Sequence, residues 1–383
     1  MNMNTIVKLG LNPEMVENMS AGAFNNKSYF GYKGKILKSG ICKYYRRKQF
    51  DKFEWCVIEM MLFGLKNKGL LTNVINRIKI VLMEEIVCTD FGIIVQCVEI
   101  LNTIDKPEYE FDKKIVGMLV ICNIIKKVRR ARIVSYVNCW WRFNTLKYDF
   151  PSVITNKVEQ FKKKNDTEEL LKYGELFINF MDNHDEKMMD IFHKLYNKTG
   201  TYGTRYRRKD AVFLIFEIIE NKYKSNKDFM VVFEFIKKMF FRKGMTERRA
   251  FGVWLIIIVW KFNSLDFKNN SDIKKLTNEE LETYMKSRKK ISINESYVVK
   301  DYHISKSFGL ESFGNEGSKV IGEDLSILGE NGPKYRQLYV DDKNGKVKPK
   351  KTITMFAGEL SKNIIAKGIK RFITQKNLTT TKN

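Results

Sequence analysis

Proline is scarce in this sequence, at 5 residues in 383. It removes a backbone donor and clashes with the preceding turn of a helix, so its scarcity argues for long helices and against a loop-rich β sandwich. Histidine is scarcer still, at 3. A zinc hydrolase needs two or three imidazoles close in space. His184 and His193 are nine residues apart. At about 100° per residue they would face opposite sides of one helix, so no metal is expected. None of the six cysteines (Cys42, Cys56, Cys88, Cys97, Cys122 and Cys139) forms a CxxC pair. Most lie in apolar stretches and read as small buried hydrophobes in a reducing compartment.

Other motifs are missing too. A phosphate-gripping P-loop ends in Gly-Lys-Ser/Thr. The nearest stretches, "GYKGKI" at 31–36 and "NGKVK" at 344–348, lack the spacing and the hydroxyl. No Gly-x-Ser-x-Gly elbow is present. The opening "MNMNTIVKLGLNPEMVENMS" lacks the apolar core of a signal peptide. The strongest apolar run, "FGVWLIIIVWKF" at 251–262, is shorter than the ~20 residues that cross a bilayer and reads as a buried helix. No membrane span and no cofactor are expected.

Acidic residues are also short, with 44 Asp+Glu against 69 Lys+Arg and a formal charge of +25. Such a surface attracts polyanions, nucleic acid first and an anionic membrane surface second. AT-rich coding, seen in the abundant Lys, Asn and Ile, raises lysine by itself, but it does not cluster arginines. With 44% apolar residues, 27 Phe and 17 Tyr, the chain can bury a sizeable core. Its length suits about two or three domains.

The expected fold is mainly α, with helical bundle domains and a small irregular, β-containing C-terminal region. Residues 1–50 read as a basic, loosely attached arm, in which Tyr44, Tyr45, Arg46 and Arg47 suit either base stacking and phosphate binding or a solvated helix start. Residues 51–150 read as one helical domain, with apolar positions 53, 56, 57, 60, 61 and 62 at helical spacing. Residues 151–290 read as a second, with helices at 210–224, 227–242 and 246–262 and Thr246 as an N-cap. Thr277 with Glu280 has capping-box spacing. Residues 291–383 are Gly- and Ser-rich, with a strand-like "SYVVKDYHI" and a basic tail.

Three basic groups suit phosphate. "TGTYGTRYRRKD" (199–210) offers Arg205, Arg207 and Arg208 as forked donors and Tyr202 and Tyr206 as stacking rings; the alternative is a polar turn before a helix. In "KKVRRAR" (126–132), Lys126, Arg129 and Arg130 would share one helical face. In "FFRKGMTERRAFG" (240–252), Arg242, Lys243, Arg248 and Arg249 sit at a helix junction beside a helix N-terminus. Asp301 and His303 form one carboxylate–imidazole pair, which suits a structural hydrogen bond better than a reaction.

"NRIKIVLMEEIV" resembles a signature in the C-terminal part of clamp-loader-like AAA+ ATPases of the MgsA/RarA type. In that signature an Arg is followed seven residues later by Glu, then Asp, then Ile/Val and Gly. Here Arg77 is followed by Glu84, Glu85 and Ile86, with Val87 in place of the Gly and Gly92 further on. The resemblance spans about residues 51–140 and lacks that family's ATPase core. It implies a helical domain associated with oligomerisation and DNA transactions, without ATP hydrolysis. Glu84 and Glu85, set in an apolar run, need cationic partners if buried, so they are expected to organise helix packing. The composition also looks like that of proteins from large DNA viruses.

These observations lead us to expect a non-enzymatic protein that binds nucleic acid, DNA first, through the phosphate backbone. It would act in replication, repair or packaging inside a host cell or in a virion. The alternative is a structural or virion-assembly protein that meets further copies of itself or other viral proteins. A third reading is an enzyme built on Asp301 and His303.

Overall fold

The computed structural model describes residues 3–22, 26–164, 166–197, 211–242, 248–268, 276–299 and 318–347. Over these residues the protein is mainly α. Two short helices, α1 (Met3–Lys8) and α2 (Pro13–Glu17), precede an antiparallel pair of two-residue strands, Ser20–Ala21 and Asn26–Lys27. Next come α3 (Gly34–Arg46), α4 (Phe50–Leu62), α5 (Lys68–Glu85), α6 (Phe91–Ile104), α7 (Phe111–Ile125) and α8 (Ile133–Phe143). A second run holds α9 (Asn156–Glu159), α10 (Glu168–Asp182), α11 (Met188–Asn197), α12 (Phe213–Tyr223), α13 (Lys227–Phe241) and α14 (Arg248–Trp260). The chain continues through α15 (Asn278–Ser287), α16 (Ser296–Val299) and α17 (Gly332–Lys343).

One hydrophobic cluster runs from Ile6 on α1 to Tyr339 on α17. Its centre includes α14, where every residue from Phe251 to Val259 is buried. A helix apolar on all sides belongs inside a globule, which is why "FGVWLIIIVW" packs there. All six cysteines are buried thiols, consistent with their apolar settings. The Thr277–Glu280 capping box is present: Glu280 N donates to the Thr277 hydroxyl at 3.2 Å and Thr277 N to the Glu280 carboxylate at 2.9 Å. Among the described residues, no helix is long and apolar enough to cross a membrane.

Three local expectations are corrected by the structure. The segment expected as a loose basic arm contains α3, and both Tyr44 and Tyr45 are fully buried. Tyr45 donates to the carbonyl of Ile125 at 2.9 Å, satisfying an end of α7. The start of the strand-like "SYVV" is the short helix α16. Tertiary contacts override its β propensity. Glu295 accepts from Tyr44 at 2.6 Å and from Lys52, and the ring of Tyr297 takes the Arg47 guanidinium at 3.9 Å. His184 and His193 are not on one helix: His184 lies in the turn between α10 and α11, its Nε2 2.8 Å from the Asn263 amide.

A buried ionic junction joins the ends of several of these elements. Arg46, the last residue of α3, places its Nε 2.9 Å from both oxygens of Glu85, the last residue of α5. Its Nη2 also bonds that carboxylate. Arg132, just before α8, sits 3.8 Å from Glu85 and 3.7 Å from Glu84 and donates to the Tyr339 hydroxyl on α17. Arg46, Glu85 and Arg132 are all buried. Burial and the adjacent Arg132 oppose the charge on Arg46, and Glu85 outweighs both, so its pKa is raised. Backbone bonds seal the junction. Ala131 N donates to Glu85 O and Val87 N to Arg129 O, each at 3.1 Å, and Asp324 N donates to Arg130 O at 2.9 Å.

Removing one partner of a buried pair strands the other charge, at a cost of about 3–5 kcal/mol. Glu85→Ala is therefore expected to destabilise by about that amount, read from urea midpoints. The Glu85→Ala/Arg46→Ala double variant should lose less than the sum of the singles, because the two residues share one interaction. Gly92, at the start of α6, lies against the 266–268 backbone, and a Cβ there would come within 2.3 Å of Lys268 O. Gly92→Ala should cost about 1–3 kcal/mol by overpacking, measured in the same melts.

Candidate nucleic-acid interface

The three basic groups fare differently. Arg205, Arg207, Arg208, Tyr202 and Tyr206 lie outside the described residues, as do Lys243, Thr246, Asp301 and His303.

Lys126, Arg129 and Arg130 do not share a helical face, because α7 ends at Ile125. The chain turns at 126–128, and Arg130 then pairs with Ile86 on one side and Glu323 on the other. Lys126 Nζ is 2.7 Å from Glu54. Arg129 bonds Asp90 and lies 3.4 Å from Asp324, and its pKa is raised chiefly by the hydrogen bond to Asp90. Arg130 is buried against the rings of Phe50 and Tyr45, at 5.2 and 5.9 Å. Own-chain carboxylates or aromatic faces thus already engage the charge of this run.

Arg248 and Arg249, at the start of α14, are half-buried and stack on rings. The Arg248 guanidinium is 4.3 Å from the Phe240 ring and Arg249 is 4.6 Å from Tyr196. Beneath them lies His193, 3% exposed, with neither ring nitrogen hydrogen-bonded among the described residues. Burial, then the charges of Arg249 and Arg142, push its pKa down to about 3.

A different set of cations converges on α5. Arg242, at the end of α13, donates to Asn76 Oδ1 at 2.6 Å. Arg77, next to Asn76, points at Cys42 Sγ from 3.9 Å. Lys38 on α3 is half-buried, and its pKa is lowered by burial and then by Arg77. Lys79, one turn on from Asn76, is held by Asp105 at 2.6 Å. Burial lowers its pKa, Asp105 raises it, and the charges of Lys238 and Arg242 lower it further. Among the described residues, Lys38, Lys238 and Arg242 have no carboxylate partner, whereas Lys237 next door bonds both Glu220 and Glu234. Among the described residues, α3 and the end of α13 therefore place near α5 cations that no carboxylate pairs with.

Sequence reasoning missed this grouping. Lys238 and Arg242 are four residues apart on one helix edge, which is legible as a spacing. Their approach to Asn76 and Lys79 on α5 joins positions about 160 residues apart.

The His193 shift carries a pH dependence. The unfolded ring protonates near its ordinary 6.5, while the folded ring stays neutral down to about 3. Its contribution to stability is therefore complete above about pH 6.5 and is lost as pH falls toward 3. The urea midpoint of His193→Phe should fall less steeply between pH 7 and 4.5 than that of the unaltered protein; parallel slopes would refute this. Compared with models of known protein families, with curated proteins and with solved structures, the chain matches none.

Proposed function

We propose that this chain is a non-enzymatic nucleic-acid-binding protein that grips the phosphate backbone. In this reading DNA is its first ligand, and it serves replication, repair or packaging inside a host cell, in a viral setting. The supporting observation is that Lys38, Lys238 and Arg242 each lie near α5 and none of the three has a carboxylate partner among the described residues. It comes on top of a formal charge of +25. Unneutralised cations grouped on a rigid helical scaffold favour a polyphosphate, which docks by releasing its condensed counterions. Backbone-directed contacts of this kind position a duplex or strand without reading bases. Arg248 and Arg249, braced on Tyr196 and Phe240, add forked donors held in fixed orientation.

This reading predicts steep salt dependence. With about three phosphates neutralised, log K should fall against log salt with a slope near −3. Lys38→Ala, Lys238→Ala and Arg242→Ala should each lower that slope by about one unit while leaving sequence preference unchanged. Arg205→Ala, Arg207→Ala and Arg208→Ala belong in the same filter-binding series. Salt-insensitive binding would end the proposal. Large assemblies formed without nucleic acid would instead support a structural, virion-assembly subunit.

A further inference from the structure

A half-open cleft of about 540 Å³ lies where the start of α5 meets α1, the end of α6 and the start of α7. Small-molecule sites span about 300–1,000 Å³. Its walls are held by buried or half-buried polar contacts. Lys8 of α1 bonds Asp112 of α7, Lys79 of α5 holds Asp105 after α6 at 2.6 Å, and Lys114 of α7 donates to Ile104 O at 2.8 Å and to Lys106 O. The cleft is thus formed in the folded chain and needs no rearrangement to open.

Its chemistry is two-sided. Phe111 and Tyr109 supply flat, half-buried rings. The Phe111 ring lies so close to Gly64 that a Cβ there would come within 2.6 Å of it, which keeps that wall smooth. Lys66 and Lys68 are exposed at its mouth, and the Lys66 ammonium also donates to Glu17 O at 3.5 Å. Lys114 lines the interior at 6% exposure; two of the three N–H groups an ammonium carries go to backbone carbonyls. Among the described lining residues the one carboxylate, Asp105, is already bonded to Lys79, and Glu108 outside the lining offsets part of the charge near Lys114. Positive charge therefore stands in excess over an aromatic wall.

The geometry points to this cleft as a binding site for a small organic anion with a flat ring body, of which a nucleoside monophosphate is the probe. The ring would lie against Phe111 and Tyr109 and displace water from apolar surface. The anionic group would meet Lys66 and Lys68 at the mouth. This site does not rest on the backbone-binding reading, since its lysines are not Lys38, Lys238 or Arg242.

Isothermal titration of the full chain with AMP, GMP and UMP tests it. At least one nucleotide is expected to bind saturably with one-to-one stoichiometry. Adenosine alone and inorganic phosphate alone should each bind at least tenfold more weakly than AMP if AMP is the binder, with the matching nucleoside used otherwise. Lys66→Ala/Lys68→Ala should weaken binding at least tenfold, and Thr72→Phe, which fills the cleft from α5, should abolish it. Unchanged far-UV circular dichroism would show that both variants fold; the lysines are exposed and Thr72 is half-buried. Lys38→Ala/Lys238→Ala should leave nucleotide affinity unchanged, which separates this site from the backbone-binding surface. The proposal is overturned if no nucleotide saturates, if phosphate alone binds as tightly, or if the double lysine variant binds normally.

Discussion

The fold turns on two arginines and one glutamate held out of water, with a second, half-buried glutamate beside them. Arg46, Arg132, Glu84 and Glu85 meet where α3 and α5 end and α8 begins. Charges removed from water to such a place gain back their hydration only if each finds a partner in good geometry. The set is balanced in sign, and Glu85 takes Arg46 through two nitrogens. The requirement reaches further than the four side chains. Arg132 can reach the glutamates only if the chain before it leaves the helix, and residues 129–131 do so, pairing with 85–87 and with 323–324.

That local geometry divides the most basic run of the chain by direction. Arg129 turns outward to Asp90 and Asp324, Arg130 lies under Phe50 and Tyr45, and Arg132 enters the ionic junction. Glu323 completes the arrangement. It accepts from the Tyr136 hydroxyl at 2.6 Å and from Arg336 at 2.9 Å, and the Trp140 and Tyr335 rings stack at 4.5 Å, so α17 is fastened along α8. A cluster of lysines and arginines close in sequence here acts as internal mortar. Lys38, Lys238 and Arg242, which have no carboxylate partner among the described residues, are instead dispersed in sequence and set near α5 by α3 and α13.

The cleft and the proposed basic surface share α5. Its first turns line the cleft through Leu71, Thr72 and Ile75, and its next turn carries Asn76 and Arg77. Its last turn delivers Glu84 and Glu85 to the junction. One helix of 18 residues thus carries a cleft wall, a basic surface and a structural anchor in succession. Lys79, buried and bonded to Asp105, stands between the cleft and the basic surface and fixes α6 against both.

The helices themselves were legible because apolar periodicity and capping are local. The capping box at Thr277 and Glu280 and the burial of "FGVWLIIIVW" follow from neighbours in sequence alone. The need of Glu84 and Glu85 for cationic partners was legible too, since a carboxylate in an apolar run is costly without one. Which cations answer it was not: Arg46 and Arg132 lie 39 and 47 residues from Glu85. The break after Ile125 was equally hidden, because no Pro or Gly interrupts residues 118–143 and helical spacing runs on unbroken. The sequence by itself determined the helical class, the buried thiols and the surplus of positive charge, all of which depend on composition and short spacing. Only the tertiary structure decided which charges are neutralised inside and which face outward, because electrostatic pairing acts through space between segments that the chain order keeps far apart.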